Sequence, residues 1–321
     1  MADRVKILVP GDDPPQIAGS PQLPRLQPYG DVTLHETRPG DKAEQLERAR
    51  GFEVIMNTRG SVTWREEDLR ALPALRMITT CSIGTDMIDL DAARQLGIVV
   101  SNQPGRTAPV VAEHMLGLLF TVAKRAAFQT AEMRQHRWTR RMNLTVQGKV
   151  LGIVGTGNIG AEMARLGRAL GMEVIAWTFN PSAERAAQLG VRFVELDELL
   201  ATADYVSLHV ALTEDTRHLI GAAQLARMKP EGVLLNGARG AVVDLDALAA
   251  ALDAGALAGA GLDVFPDEPF LEDHPIKRCE QAVLTPHAAD QTPEGVELLN
   301  GGAVDNVIAF LEGRPQNNVA A

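Results

Sequence analysis

"GIVGTGNIG", residues 152–160, decides the fold. The apolar run "KVLGIV" (149–154) leads into Gly155, Gly157 and Gly160, and a helix-forming segment opens near Ile159. In that setting the first glycine permits a tight turn, the second lets the main chain approach a pyrophosphate, and the third lets the helix pack close on the strand. Asn158 and Ile159, between the second and third glycines, belong with them to the expected cofactor contact. A second apolar run, "EVIAW" (173–177), follows where a βαβ unit needs its next strand. The stretch predicts dinucleotide binding by a parallel α/β domain.

Working outward, short apolar runs alternate with helix-period segments almost throughout. "VKILV" (5–9), "FEVIM" (52–56), "RMITT" (76–80) and "GIVV" (97–100) precede the glycines; "DYVSL" (204–208), "GVLLN" (232–236), "AGAGLDV" (258–264) and "QAVLT" (281–285) follow them. Most are continuously apolar, as expected of parallel strands covered by helices on both faces. The Pro-rich stretch from Pro10 to Pro28 reads as an irregular loop. No internal repeat is present.

Four strand-like runs therefore fold before the glycines, and after "AVLT" only one long amphipathic helix remains, about Pro293 to Leu311. Its Val296, Leu299, Val304, Ile308 and Leu311 are available to a core. The expected fold class is α/β with two doubly wound parallel-sheet domains. A flavodoxin-like domain of residues 1–101 plus 288–321 is interrupted by a Rossmann domain of residues 102–287. At 321 residues the chain also exceeds the size at which single cores stop growing.

The formal charge is -10, from 31 basic and 41 acidic residues, and no Lys/Arg block is long enough to track a phosphate backbone. Nucleic acid and anionic membrane surfaces are excluded as expected partners. "VVAEHMLGLLFTVAKR" (110–125), interrupted by Glu113, His114 and Lys124, reads as a buried or interface helix and not as a membrane span. The opening "MADRVKILVP" leaves no room for an export signal. Cys81 and Cys279 suggest neither a disulfide framework nor a metal site, so a reducing, cytoplasmic compartment is expected.

Three strand ends carry the candidate chemistry. "LLNGARGAVVDLDAL" (234–248) places Arg239 at the carboxyl end of a strand, where open α/β sheets bind ligands and a guanidinium can fork onto a carboxylate. "GLDVFPDEPF" (261–270) leaves Asp263 at a strand end and Glu268 in a two-proline turn. "TPHAADQT" (285–292) brings His287 one short strand later. A carboxylate against that imidazole would raise its pKa and fix its tautomer, as a group that gives and retakes a proton requires. None of the other six histidines is assigned chemistry. After "EVIAW" the acid that usually holds a ribose 2′-hydroxyl is absent: Thr178, Phe179 and Asn180 stand there, and the nearest arginine is Arg185. NAD and NADP both remain open, with NAD slightly favoured as the commoner.

From about residue 75 to 312 the chain resembles the D-isomer-specific 2-hydroxyacid dehydrogenases, which include phosphoglycerate dehydrogenases and glyoxylate/hydroxypyruvate reductases. The resemblance runs through "IGTDMIDLDAARQLGIVVSNQPG", "VAEHMLGLLF", "GKVLGIVGTGNIG", "DYVSLHVALTEDTRHLI", "LLNGARGAVVDLDAL", "AGAGLDVFPDEP" and "VLTPH". It implies hydride transfer between a nicotinamide cofactor and C2 of a small 2-oxo or 2-hydroxy acid. Arg239 would hold the substrate carboxylate, His287 would be the acid/base, Glu268 its partner, and Asp263 would hold the nicotinamide carboxamide. Cys81, Ser82, Ile83 and Gly84 would offer main-chain N–H groups to the carboxylate. The resemblance also implies a homodimer, with the helix expected over 107–128 at its interface, and no metal.

The chain departs from the family pattern at Ser82, where glycine is common, at Ala211, where proline is usual, and at Thr178. Asn57 stands where phosphoglycerate-specific members often carry arginine, which points to a non-phosphorylated substrate, with Arg59 as the substitute cation nearby. Formate and phosphite dehydrogenases resemble the chain too; formate enzymes pair the histidine with a neutral Gln, and Glu268 here argues for a hydroxy acid, while phosphite stays open on this criterion. A nucleotide-sensing binding protein of the same fold is the reading from a different class; the chain lacks the basic tail or recognition arm that would favour it.

Overall fold

The computed structural model describes residues 4–321. They divide into two compact units, residues 4–107 with 291–321, and Ala108–Asp290. The sequence reading has boundaries after residues 101 and 287; the units divide between Thr107 and Ala108 and between Asp290 and Gln291.

The first unit is a five-stranded parallel sheet, β1 (Val5–Val9), β2 (Gly30–Leu34), β3 (Val54–Asn57), β4 (Met77–Thr80) and β5 (Val99–Ser101), in the order β2-β1-β3-β4-β5. β3 and β4 are buried at every position, so their side chains line both faces of the sheet. Ile7, Val9, Val54, Met56 and Met77 pack on one face with Ala303, Val304 and Val307 of the helix Pro293–Leu311. Leu8, Ile55, Ile78 and Val100 pack on the other with Trp64, Leu69 and Ala93. Each such side chain taken from water contributes about 1.5–3 kcal/mol. Leu299 and Val304 of that helix are buried, while Val296, Ile308 and Leu311 are partly so.

Five strands, not four, precede the glycine loop. The extra one, β2, is an edge strand whose sequence "GDVTL" alternates and is half exposed, so it lacks the apolar run that marks its neighbours. The Pro10–Pro28 stretch also holds a short 3-10 turn at Leu23–Leu26.

The second unit is a seven-stranded parallel sheet: β6 (Val150–Val154), β7 (Glu173–Trp177), β8 (Arg192–Phe193), β9 (Tyr205–Leu208), β10 (Val233–Asn236), β11 (Gly259–Leu262) and β12 (Ala282–Leu284). The order is β12-β11-β10-β9-β6-β7-β8, so the chain reverses direction across the sheet at β6, with β7 on one side and β9 on the other. That reversal opens a crevice at the carboxyl ends of the strands. The two-residue β8, another edge, left no apolar run to read.

The helix expected over 107–128 is two helices. The first, Ala108–Ala123, packs on the helix Asn158–Ala169 and on β10 and β11. It stops where Arg125 turns left-handed (φ 50°), and a second helix runs over Ala126–Arg134. The returning chain fixes the break: Leu144 N–H donates to the Ala123 carbonyl (2.8 Å), and the Lys124 ammonium donates to the Leu144 carbonyl (2.7 Å). Among the described residues no helix is long and apolar enough to cross a membrane, and no cluster of His, Cys, Asp or Glu has the makings of a metal site.

Candidate active site

β6 ends at Val154 and the chain turns at Gly155, whose φ of 94° disfavours side chains. A Cβ on Gly160 would sit 2.0 Å from the Gly155 carbonyl oxygen, so only glycine lets the helix start this close to the loop. Around Gly157 the space is open, and this N-cap residue gives no side-chain hydrogen bond to the first turn of the twelve-residue helix Asn158–Ala169. Uncapped N–H groups at a helix start, faced by an open approach, fit a dinucleotide pyrophosphate. Asn158, Ile159 and Gly160 would supply them.

Across the reversal point, three neighbouring strands end level, because Asn236, Leu262 and Leu284 are in register. Arg239, Asp263 and His287 follow those ends within three residues and so reach one edge of the same crevice. Buried Asn236 shapes the first turn: its Nδ2 donates to the Arg239 carbonyl (3.0 Å) and its Oδ1 accepts the Ala238 N–H (3.1 Å). A Cβ on Gly240 would lie 1.9 Å from the Phe265 carbonyl carbon, so the arginine turn and the Glu268 turn touch main chain to main chain.

Glu268 is oriented at both oxygens. Oε1 accepts the Phe265 N–H (2.9 Å) and Oε2 lies 2.6 Å from His287 Nδ1. The carboxylate bond raises the His287 pKa above the ordinary imidazole value of 6.5, against burial and the nearby Arg239 charge, which lower it. Burial alone would raise the Glu268 carboxyl, but the histidine bond and charge, the Phe265 N–H and Arg239 together lower it. With Nδ1 engaged, Nε2 is the ring atom left for proton transfer.

Asp263, expected at a carboxamide, is only 1 % exposed, and its carboxylate is engaged by the histidine turn. Oδ1 accepts the Thr285 hydroxyl (2.6 Å) and the Ala288 N–H (2.9 Å), while Oδ2 accepts the Ala289 N–H (3.0 Å). His114 Nε2 lies 3.3 Å from Asp263 Oδ1 and 3.1 Å from Thr285 Oγ1. Since the Thr285 hydroxyl donates to Asp263, His114 Nε2 is the donor to both. Burial would raise the Asp263 carboxyl; the bonds from His114, Thr285 and Ala288 outweigh it and lower its pKa. Sequence reasoning assigned His114 nothing. His209, beside the glycine loop, bonds Ser207 (2.9 Å), and burial pushes its pKa down to about 4, so it stays neutral.

Thr178 follows β7 directly and stands next to the glycine loop, since Gly155 N–H donates to the Trp177 carbonyl (2.9 Å). In the first unit, Cys81 is buried, and its N–H donates to the Asn57 carbonyl (3.1 Å). The Ser82 carbonyl accepts from Thr80 and Gln103, and the Ile83 carbonyl from Asn102. Among the described residues the N–H groups of Ser82, Ile83 and Gly84 have no protein acceptor.

The sequence profile of the D-isomer specific 2-hydroxyacid dehydrogenase NAD binding domain matches residues 116–289. A glyoxylate reductase of Korarchaeum cryptofilum is 39 % identical over 259 residues, 79 % of this chain and 78 % of that protein. A D-3-phosphoglycerate dehydrogenase of Archaeoglobus fulgidus is 36 % identical over 88 % of this chain, which spans 54 % of that protein. The crystal structure of a glyoxylate reductase from Paecilomyes thermophila superposes with a TM-score of 0.89 at 31 % identity, covering 99 % of both chains.

Proposed function

The chain belongs to the D-isomer-specific 2-hydroxyacid dehydrogenases, and from that membership we propose that it reduces a small, non-phosphorylated 2-oxo acid to the D-2-hydroxy acid. The observation that carries the reading is the His287–Glu268 pair at 2.6 Å on the strand-end edge that also holds Arg239. The nicotinamide cofactor, NAD or NADP, supplies the hydride when bound. Gly155, Gly157 and the N–H groups of Asn158, Ile159 and Gly160 hold its pyrophosphate.

Arg239 grips the substrate carboxylate with its guanidinium fork and polarises the adjacent carbonyl. His287 Nε2 gives its proton to the carbonyl oxygen as the alkoxide develops, and Glu268 holds the ring on its tautomer throughout. In the oxidation direction the neutral imidazole takes the proton back. The Glu268 bond raises its pKa above the ordinary imidazole value and so shifts the balance toward the charged ring, the form that reduction uses. Asp263 acts on the turn that carries His287. Within the first unit, the N–H groups of Ser82, Ile83 and Gly84, which have no protein acceptor, are of the kind that binds an anion.

A short 2-oxo acid is supported by the glyoxylate reductases among the similar proteins and by Asn57 in place of an arginine. Formate oxidation moves no proton to or from an oxygen, so it makes no use of an ionised Glu268 beside His287. A homodimer is supported by Phe120 (36 % exposed), Met133 (53 %), Trp138 (73 %) and Met142 (87 %), which leave apolar surface over the helix pair and the segment after it. The function is tested by following oxidation of NADH and NADPH with glyoxylate, hydroxypyruvate, pyruvate and phenylpyruvate. Turnover of at least one is expected; cofactor binding with no turnover on any of them contradicts the reading.

A further inference from the structure

We propose that Arg185 makes this site select NADP, by pairing with the 2′-phosphate that NAD lacks. The inference rests on the dinucleotide reading of the glycine loop. Three observations carry it. First, the end of β7, where a carboxylate commonly holds the 2′-hydroxyl, bears none: Thr178, Phe179, Asn180, Pro181, Ser182 and Ala183 are all uncharged, and the first acid after them, Glu184, is an exposed residue in the first turn of the next helix.

Second, Arg185 reaches beyond its own helix to the glycine loop. Its guanidinium donates to the carbonyl of Thr156, inside the glycine loop, at 2.7 Å. Its main-chain N–H donates to the N-cap Ser182 Oγ at 3.1 Å, so the backbone is tied to the turn after β7 and the side chain to the loop after β6. The adenosine ribose of a cofactor laid across these strand ends sits between those two segments. The charge is thus held where the 2′ substituent arrives.

Third, this cation has no counter-ion. Among the described residues its remaining side-chain partner is the neutral amide oxygen of Gln188 (3.1 Å), and no carboxylate pairs with it. A partly buried guanidinium bonded only to neutral oxygens keeps its full charge for an incoming anion. The hydroxyls of Thr178 and Ser182 and the amide of Asn180 are donors of the right kind for the remaining phosphate oxygens. The lean toward NAD from frequency alone is thereby reversed.

The test is calorimetric binding of NADP, NAD, adenosine 2′,5′-bisphosphate and AMP to the full chain, with no turnover required. The native protein is expected to bind NADP about tenfold to a hundredfold more tightly than NAD, with the same order between the two fragments. Arg185→Ala should remove most of that difference by weakening NADP, and Arg185→Lys should keep part of it. Thr178→Asp should reverse the preference by repelling the phosphate and accepting from the hydroxyl.

NAD binding as tightly as NADP in the native protein overturns the proposal. So does an equal weakening of both by Arg185→Ala, which would make the residue a brace for Thr156 alone. Failure of all four ligands to bind overturns the dinucleotide reading beneath it, a result distinct from the other two.

Discussion

The main-chain N–H of His287 donates to the carbonyl of Asp263 at 2.8 Å, while the side chain of Asp263 takes the next two N–H groups, of Ala288 and Ala289. His287 is left-handed (φ 49°), a conformation a side chain adopts only when its surroundings enforce it. Asp263 provides that enforcement from the end of the neighbouring strand. The imidazole is therefore aimed by a buried carboxylate that it does not itself touch, and tuned by an exposed one that it does.

His114 donates to Asp263 and Thr285, so His114→Phe should loosen the turn without removing any group from the crevice. We expect kcat to fall by about tenfold, with cofactor affinity nearly unchanged, as for loss of one hydrogen bond to a charged group. Steady-state rates beside cofactor titration check this. A proportionate loss of cofactor affinity would support the carboxamide role expected of Asp263.

Glu268→Gln removes the main cause of the raised His287 pKa. Reduction needs the protonated ring, so its rate falls as pH rises through that pKa. In the variant this limb should move to lower pH, with at least a tenfold loss of rate above neutrality if the shift exceeds about one unit. The pH dependence of kcat/KM for native and variant protein measures it. An unmoved limb would mean that another group titrates.

Trp138→Asp combined with Met142→Asp places two charges on the most exposed apolar surface of the segment after the second helix. Sedimentation at micromolar concentration should show a dimer for the native chain and a monomer for the double variant. A native monomer at that concentration contradicts the homodimer.

The strands covered on both faces were legible because burial on two sides demands uninterrupted apolar runs: the runs "KVLGIV", "FEVIM" and "GVLLN" overlap the strands Val150–Val154, Val54–Asn57 and Val233–Asn236. β2 and β8 escaped because an edge strand needs only half a pattern. The break at Lys124–Arg125 escaped because the groups that stabilise it, Met142 and Leu144, come from a later irregular segment. Arg239, Glu268 and His287 were legible because each follows a recognisable strand end, so strand order alone brings them to one edge. His114 was not, since Thr285 lies 171 positions away and helical spacing carries no sign of it. Arg185 was noticed, but its direction toward Thr156 is a matter of rotamer and not of sequence.

The most direct test of hydride transfer driven by this histidine compares native protein with His287→Ala, reading oxidation of reduced nicotinamide with hydroxypyruvate and the affinity of the cofactor in the same preparation. Nε2 is the proton donor in the account, so the variant should lose roughly 10²–10⁴ in kcat while binding cofactor as the native protein does. A variant that turns over within about threefold of native, with cofactor bound, would contradict the assignment of His287 as the acid/base.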